Sequence, residues 1–286
     1  MKQPDVKFIK QTAELDHIYR CARICYGKED LTGSRDAEVF CSEKWSQGHK
    51  SVFRHASRYY AVPVNDLYET GNNIARKLVS VLKSTPYADM AICHDEKVMY
   101  VSANLQWLWD HKAYSDFLEP YMLCNSSALR QHHNWRVRLL VRYTVFIETQ
   151  ASTSRELNRK SPNNITERST RYVKPGSGLD AICEPHWFNN LCVWKKALAK
   201  LMFWIEVKFY DIAYRVLGLQ IQDAREYLPL ATSTRVAYTY TLRDWLHIIA
   251  LRYYGSAGKP HPNCKIVMKP IVDYFESIGA DTKRYC

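Results

Sequence analysis

The sequence is poor in residues that interrupt a fold, and it lacks any long apolar run. Only 10 Gly and 11 Pro are spread over 286 residues, and no low-complexity linker divides the chain, which predicts a single domain over residues 1–286. No stretch of about 18 apolar residues occurs, so no transmembrane helix is predicted. The first residues, MKQPD, lack the apolar segment of a secretory signal. We therefore expect a cytoplasmic protein.

Paired cysteines are also absent. The nine cysteines are odd in number and irregularly spaced, with no C-x-x-C arrangement. This distribution is typical of reduced thiols rather than of a disulfide framework. No cysteine has an activating base at a recognisable spacing, so we predict neither a cysteine nucleophile nor a metal site.

Negative charge is scarce relative to positive charge. Forty Lys and Arg against 29 Asp and Glu give a formal net charge of +11, which suits a nucleic acid, a membrane surface or anionic small substrates. The cations do not form a basic run or tail. Their densest group lies between residues 155 and 174, where Ser, Thr, Asn and Glu are interleaved with them. This segment is therefore the first candidate for a functional site.

Hydrophobic periodicity predicts an α+β domain with a central, mostly antiparallel sheet flanked by long helices. Strands are predicted over 57–64, 97–105, 137–148 and 235–241. Helices are predicted over 13–25, 36–47, 66–83, 105–114, 152–159, 185–217, 242–254 and 262–278. The helix at 185–217 is expected to carry aromatic residues on a buried face, and residues 160–169 are expected to form a polar loop.

The polar segment 154–172 has the chemistry of a phosphate site. Ser169, Thr170 and Arg171 supply two hydroxyls and a guanidinium in succession, and a guanidinium can bind phosphate oxygens through two hydrogen bonds. Glu167 is a candidate acceptor for a ribose or a base. On spacing alone, a solvated loop with local Glu–Arg pairs explains the segment equally well.

The same segment resembles the signature of the flavin-dependent thymidylate synthases, R-H-R-x7-S, which is usually extended to E-x-S-x-R-Y. Four residues match its second half: Glu167, Ser169, Arg171 and Tyr172. Arg159 takes the position of the first arginine without a gap. Lys160 and Ser161 stand where the family has His and Arg, side chains that help to hold flavin and folate.

Other segments resemble the family in the same order along the chain. Residues 21–26 (CARICY) resemble its A-A-R-x-[CS]-[YF] helix end, and residues 48–55 (GHKSVFRH) resemble its G-H-x-[ST]-x-F-E-H element. Residues 223–230 (DAREYLPL) resemble its A-R-x-x-L-P segment, and residues 241–252 its N-x-R-x4-F-x-x-L-R motif. The stretch from about 63 to 136 exceeds the family's usual connection, so we predict an insertion of unknown role there.

The resemblance implies the thymidylate synthase-complementing protein fold and an FAD-dependent methyltransferase. Such an enzyme converts dUMP to dTMP with methylenetetrahydrofolate and NADPH, in a homotetramer. It implies dUMP contacts at Glu156, Arg159, Glu167, Ser169, Thr170, Arg171, Arg225 and Arg252. It implies contacts to FAD or folate at His49, Ser51, Arg159, Lys160, Ser161, Glu167, Thr241, His247 and His261. Arg252 is the expected catalytic residue, because a guanidinium facing the uracil would stabilise negative charge that develops on the base.

Two alternatives stay open. With Lys160 and Ser161 in the signature, the chain could be a paralogue that acts on another uridylate, uses another one-carbon donor or binds without turnover. A basic nucleic-acid-binding protein would use the charge of +11 and the 13% aromatic content, with salt-sensitive binding. No nucleic-acid-binding motif is present, and we do not expect a nucleic-acid partner.

Overall fold

The computed structural model describes residues 1–28, 36–68, 73–160 and 164–286. The strands are β1 (Asp5–Ile9), β2 (Ser57–Pro63), β3 (Ala88–Cys93), β4 (Val98–Asn104), β5 (Arg142–Gln150), β6 (Ile165–Glu167) and β7 (Ser233–Thr241). The α-helices are α1 (Glu14–Arg23), α2 (Ala37–Ser46), α3 (Val64–Tyr68), α4 (Asn73–Ser84), α5 (Leu105–Asp110), α6 (Lys112–Leu118), α7 (Ser127–Arg130), α8 (Trp135–Arg138), α9 (Ala151–Leu157), α10 (Val193–Arg215), α11 (Ile221–Ala224), α12 (Leu242–Ile249) and α13 (Pro262–Ser277). Short 3-10 helices occupy Ile24–Tyr26, Lys50–His55, Glu119–Tyr121, Gly178–Ala181, Phe188–Asn190 and Arg225–Tyr227, and a π-helix occupies Ala250–Tyr254.

The main sheet is antiparallel, with strand order β1-β5-β7-β6. Every residue of its central strand β5 is buried, because helices cover both faces. Val145 of β5 belongs to a large core with Trp245 of α12 and Phe275 of α13. Phe146 points to the opposite face and packs against Cys21 of α1. The predicted α+β class with an antiparallel sheet is thus confirmed.

A second antiparallel sheet has the strand order β2-β4-β3. Its core contains Tyr60 of β2, Met99 and Val101 of β4, Leu78 of α4 and Trp107 of α5. Residues 63–136 supply β3, β4, helices α3 to α7 and the start of α8, so most of this layer comes from the stretch that the sequence resemblance predicts to be an insertion.

Buried hydrogen bonds join α1 and the 3-10 helix Lys50–His55 to the main sheet. His17 Nε2 lies 2.9 Å from Thr144 Oγ1, which is 2.7 Å from Thr239 Oγ1. The ring of His55 lies between Thr239 Oγ1 and Thr166 Oγ1, at 2.8 Å from each. Because the hydroxyls can both donate and accept, they satisfy two imidazoles in an otherwise apolar interior.

Caps confirm several predicted helix ends. Gly27 follows α1 and its 3-10 extension with φ 61, the left-handed conformation that favours glycine. The Asp36 carboxylate accepts from Glu38 N at the start of α2, and the His261 imidazole accepts from Asn263 N at the start of α13. The helix predicted over 66–83 corresponds to α3 and α4, which lie on either side of undescribed residues 69–72.

The predicted strand over 137–148 begins too early. The Asn134 side chain accepts from Arg136 N at 2.9 Å and starts α8, so the chain enters β5 only at Arg142. The apolar run VRLLV is buried in this turn because it packs into the main core, not because it is a strand. A short apolar run is typical both of a strand and of a turn packed into the core, so the sequence pattern does not distinguish the two structures.

Three strands were not predicted: β1, β3 and β6. β6 lies within the segment expected to be a polar loop, and it forms only because Ile165 to Glu167 pair with Tyr238 to Val236 of β7. β3 pairs with β4 along a six-residue register. β6 and β1 depend on partners distant in sequence, since β1 pairs with β5, and local propensity does not reveal such pairing. β3 instead pairs with the next strand across a short turn.

The helix predicted over 185–217 begins later, at Val193, and only part of its aromatic side chains lie on a buried face. Trp194, Trp204 and Phe209 are exposed, whereas Val207 and Tyr210 are buried. The prediction of a buried aromatic face is therefore confirmed for Tyr210 and wrong for the three exposed residues. Among the described residues, no helix is both long and apolar enough to cross a membrane.

Candidate functional site

The carboxylate of Glu167 is held at the end of β6 by three side chains. Ser154 Oγ and Thr234 Oγ1 donate to its Oε1 at 2.7 and 3.0 Å, and Asn158 Nδ2 donates to Oε2 at 3.0 Å. The Tyr238 hydroxyl in turn donates to the side-chain oxygen Oδ1 of Asn158 at 2.8 Å. A half-buried carboxylate with three donors is rigidly oriented, so Glu167 can present its remaining lone pairs in a fixed direction.

The loop after β6 brings hydroxyls and cations together. Ser169 N donates to Cys25 O at 3.1 Å, which ties the loop to the end of α1. Arg171 N donates to Ser169 Oγ at 3.2 Å, and Arg225 Nη1 donates to Thr170 Oγ1 at 3.4 Å. The structure thereby places Arg225 beside the predicted phosphate loop, although about 55 residues separate them. Hydroxyls and guanidiniums so arranged are suited to an anionic oxygen cluster.

Arg252 lies in the π-helix that follows α12, and its Nη1 is 3.9 Å from Glu156 Oε1 of α9. At this distance the pair is an ion pair but not a hydrogen bond. The guanidinium is 21% exposed and Glu156 24%, so both charges are partly removed from water. Single π-turns often occur at functional sites, and this one lets Arg252 approach α9.

Ser154 and Glu156 are about 200° apart around α9. The Glu167 cluster and the Arg252–Glu156 pair therefore lie on different faces of that helix.

The carboxylate of Asp244 contacts both Lys160 and Thr241. Lys160 Nζ lies 2.9 Å from Asp244 Oδ1, and Thr241 Oγ1 donates to Asp244 Oδ2 at 2.9 Å while it caps α12 by accepting from Asp244 N. Burial opposes the ionised form of Asp244, but the bond and charge of Lys160 hold its pKa below the usual range. His247 stacks on Tyr285 at 3.7 Å, and burial and the Lys160 charge lower its pKa.

The remaining predicted cofactor contacts lie on the surface. His49 and Ser51 are exposed at the 3-10 helix that ends at His55. Arg54, which stands where the family has Glu, donates to Gln106 Oε1 at 2.7 Å. His261 is exposed and caps α13, and Arg159 is exposed two residues beyond α9. Ser161 lies outside the described residues.

Four residues of the site were not predicted: Ser154, Asn158, Thr234 and Asp244. The first two had a sequence signal, because they are separated by four residues and so share the helix face that meets Glu167. Thr234 and Asp244 had none, since each acts through a pairing that only the folded chain creates. They position predicted residues and are not themselves expected to touch a ligand.

A half-buried carboxylate, serine and threonine hydroxyls and guanidiniums near the edge of an antiparallel sheet are groups of the kind that bind phosphorylated small molecules. The chain belongs to the thymidylate synthase complementing protein family, whose model matches residues 80–277. The match includes Glu167, Arg171, Arg225 and Arg252. No curated protein gives a significant match to the chain.

Two solved structures are similar to the chain at low identity. The UMP/dUMP methylase PolB from Streptomyces cacaoi, bound with 5-Br dUMP, is 13% identical over 97% of this chain and 92% of that chain, with a TM-score of 0.44. Thymidylate synthase X from Helicobacter pylori, with FAD and dUMP, is 15% identical over 62% of this chain and 92% of that chain, with a TM-score of 0.40.

Proposed function

We propose that the protein is an FAD-dependent thymidylate synthase that converts dUMP to dTMP with methylenetetrahydrofolate and NADPH. Membership of the thymidylate synthase complementing protein family is the observation that carries this proposal. The geometry adds support, because Thr170 and Arg225 meet across the loop and Glu167 is fixed beside them by α9 and β7.

In this proposal, different residues of the chain bind the phosphate, the ribose and the base of the nucleotide. Ser169, Thr170, Arg171 and Arg225 bind the phosphate, while Glu156, Arg159 and Glu167 bind the ribose and the edges of the base. Arg252 faces the uracil, where its charge stabilises the electron density that the ring gains at C5 during methylation. One such preorganised donor contributes about 3 kcal/mol to transition-state stabilisation.

The side chains proposed to contact the cofactor have chemistry that suits a dinucleotide. His49, Ser51 and Arg159 offer an imidazole, a hydroxyl and a guanidinium on the surface, which suits the phosphates and hydroxyls of FAD. His247, His261 and Glu167 complete the proposed set, and Thr241 orients Asp244 against Lys160. FAD, when bound, would supply the hydride chemistry that none of these side chains provides.

We propose that the active enzyme is a homotetramer. The Glu167 cluster and the Arg252–Glu156 pair contact different faces of α9, so a site that uses both is most simply completed by a second copy. Helix α10 carries an exposed apolar stripe on one face: Trp194, Leu198, Leu201, Met202, Ile205, Phe209, Ile212 and Val216. Their spacing of three and four residues places them together, and exposed apolar patches of this size mark interaction surfaces.

A paralogue with altered substrate or donor is the second candidate, and the Lys160–Asp244 pair favours it. In the family the position of Lys160 is a histidine that helps to hold flavin and folate. Here the ammonium group is neutralised by Asp244 at 2.9 Å, so it contributes less charge to a bound anion than a free lysine would.

Tritium release from C5-labelled substrate tests both candidates. The purified protein is incubated with methylenetetrahydrofolate, NADPH and FAD, and labelled dUMP and UMP are compared. Release from dUMP supports thymidylate synthesis, and release from UMP alone supports the paralogue. Arg171→Ala should weaken dUMP binding measured by calorimetry. Absence of release, of dUMP binding and of a yellow flavin spectrum would refute both.

A further inference from the structure

Metal-ligating side chains meet at the closed end of the β3–β4 hairpin. Cys93 ends β3, Glu96 lies in the hairpin turn, and His132 and His133 lie between α7 and α8. One ligand atom from each residue, a sulfur, a carboxylate oxygen and two imidazole nitrogens, lies within 4.8 Å of all the others. None of these residues has a part in the proposed nucleotide site.

We propose that Cys93, Glu96, His132 and His133 form a zinc-binding site. A thiolate, two imidazoles and a carboxylate are the donors that Zn²⁺ takes in a four-coordinate tetrahedral site. Bonds of about 2.0 to 2.3 Å put tetrahedral ligand atoms roughly 3.3 to 3.8 Å apart, so the four atoms need to contract by only about 1 Å. Calcium and magnesium are disfavoured, because they require oxygen ligands.

The surrounding residues orient two of the ligands. His133 Nε2 lies 2.8 Å from Asp95 Oδ2, while its Nδ1 faces Glu96 Oε1 at 3.6 Å. A carboxylate on the far nitrogen is the arrangement that fixes the tautomer and orientation of metal-binding histidines. Glu96 is oriented by Tyr100, whose hydroxyl donates to Oε2 at 2.7 Å. His133 Nδ1 and the Glu96 carboxylate are therefore presented to a common point.

The thiol of Cys93 is fully buried beneath these groups. Its Sγ donates to Asp95 Oδ1 at 2.9 Å and accepts from Asn134 Nδ2 at 3.7 Å. Zinc binding would replace the thiol proton, which is released to solvent, and the Asn134 amide would then donate to the thiolate. Metal binding of this kind is pH-dependent because each ligand must lose its proton.

His132 is the ligand that must reorganise. Its Nε2 lies 3.0 Å from Glu96 Oε2, and its Nδ1 accepts from Asn134 N at 3.0 Å, so the ring proton is on Nε2. Coordination through Nε2 moves that proton to Nδ1 and costs the bond from Asn134.

A bound zinc ion would tie two distant segments together. Glu96 and His132 are 36 residues apart, and the hairpin turn includes Lys97 with φ 54, a left-handed conformation that a side chain disfavours. Zinc would hold this turn against the α7–α8 segment. The sequence predicts no metal site, because the ligands form no C-x-x-C pair and come from two separate turns.

Metal content and cobalt substitution test the proposal on the tag-free full-length chain. We expect one zinc per chain by plasma mass spectrometry, and Co²⁺ in its place should give tetrahedral d–d bands with a thiolate-to-cobalt charge-transfer band. His133→Ala changes an exposed side chain, so the fold should persist while zinc affinity, measured by chelator competition, falls at least about 10- to 100-fold. Cys93→Ser should remove the charge-transfer band, and Cys286→Ser is the matched control that should keep it.

A zinc content far below one ion per chain after zinc supplementation, together with no tetrahedral cobalt spectrum, would overturn the proposal. It would show that the four side chains only form hydrogen bonds with one another. An unchanged zinc affinity in His133→Ala would also overturn the proposal. All these readouts are independent of dUMP turnover, so a failure here leaves the proposed enzymatic function untouched.

Discussion

At the scale of single residues, Glu167 and Arg252 are placed by partners that differ in strength. Glu167 accepts three hydrogen bonds, whereas Arg252 has one ion pair at 3.9 Å. The first is therefore fixed by the protein, and the second keeps N–H donors that are not bonded to Glu156. This difference predicts different outcomes when each is replaced.

Glu167→Gln should lower the stability of the protein. The neutral amide loses the charge that strengthens all three hydrogen bonds, and an N–H group turned toward Asn158 Nδ2 would be a buried donor without an acceptor, which costs about 1 to 3 kcal/mol. Urea unfolding followed by circular dichroism measures the change. A Glu167→Gln protein as stable as the parent would show that the charge of Glu167 adds nothing to these bonds.

Arg252→Ala should lower kcat for dUMP about 100-fold, because one transition-state donor contributes about 3 kcal/mol. Stability should change little, since the partner Glu156 is partly solvated. Arg76→Ala, an exposed arginine on α4, is the matched control and should retain full turnover in the tritium-release assay. Equal turnover in Arg252→Ala and the control would contradict the electrostatic role.

At the scale of elements, the junction from β7 to α12 both starts the helix and positions residues of the proposed site. Thr241 ends the strand, caps the helix and orients Asp244 against Lys160. The junction from β4 to α5 is built alike, with Asn104 accepting from Trp107 N. In both, a single polar residue ends one element and starts the next.

Thr241→Ala should destabilise the protein by about 1 kcal/mol, the typical cost of losing an N-cap side chain. Thr241→Ser keeps the hydroxyl and should recover most of that loss in thermal or urea unfolding. If Ser and Ala were equally destabilising, the loss would come from the buried methyl group rather than from the cap.

At the scale of the whole molecule, the buried histidines bear on stability, and the apolar stripe of α10 bears on the proposed assembly. Burial lowers the pKa of His17 to about 4, helped by the charge of Arg20. Burial, with the nearby His17 and Arg54, lowers the pKa of His55 to about 3. The two rings join α1 and the 3-10 helix to the main sheet, so their neutral forms hold the two layers together.

Stability should fall as the pH drops below about 6.5. The unfolded chain takes up protons there while the native state keeps both rings neutral, so each histidine removes about 1.4 kcal/mol per pH unit until its native pKa is approached. Urea unfolding at pH 7, 6 and 5 measures this slope.

His17→Gln should roughly halve the slope, and replacement of the exposed His49 by Gln should not change it. Glu148, whose pKa is held at about 2 by Lys2 and Arg235 against the effect of burial, loses its contribution only below about pH 4.5. A flat profile between pH 7 and 5 would contradict the histidine assignment.

The α10 stripe should control the oligomeric state. Leu201→Glu with Ile205→Glu puts two charges into the proposed interface, and we expect the tetramer to dissociate in light scattering coupled to gel filtration. Lys195→Glu alters charge on the same helix outside the stripe and should leave the assembly intact. A monomeric parent protein would instead show that the exposed stripe is not a self-association surface.

Most helices, the strands β2, β4 and β7, and the order of the family's motifs along the chain were predictable from the sequence, because these depend on periodicity, caps and short spacings. The folded chain was needed to show that 137–141 is a turn, that β6 is a strand, and that Trp194, Trp204 and Phe209 of α10 face outwards. It also decided that Arg225 meets Thr170 and that Asp244 neutralises Lys160. These features depend on pairing between segments far apart in the chain, for which local sequence holds no signal.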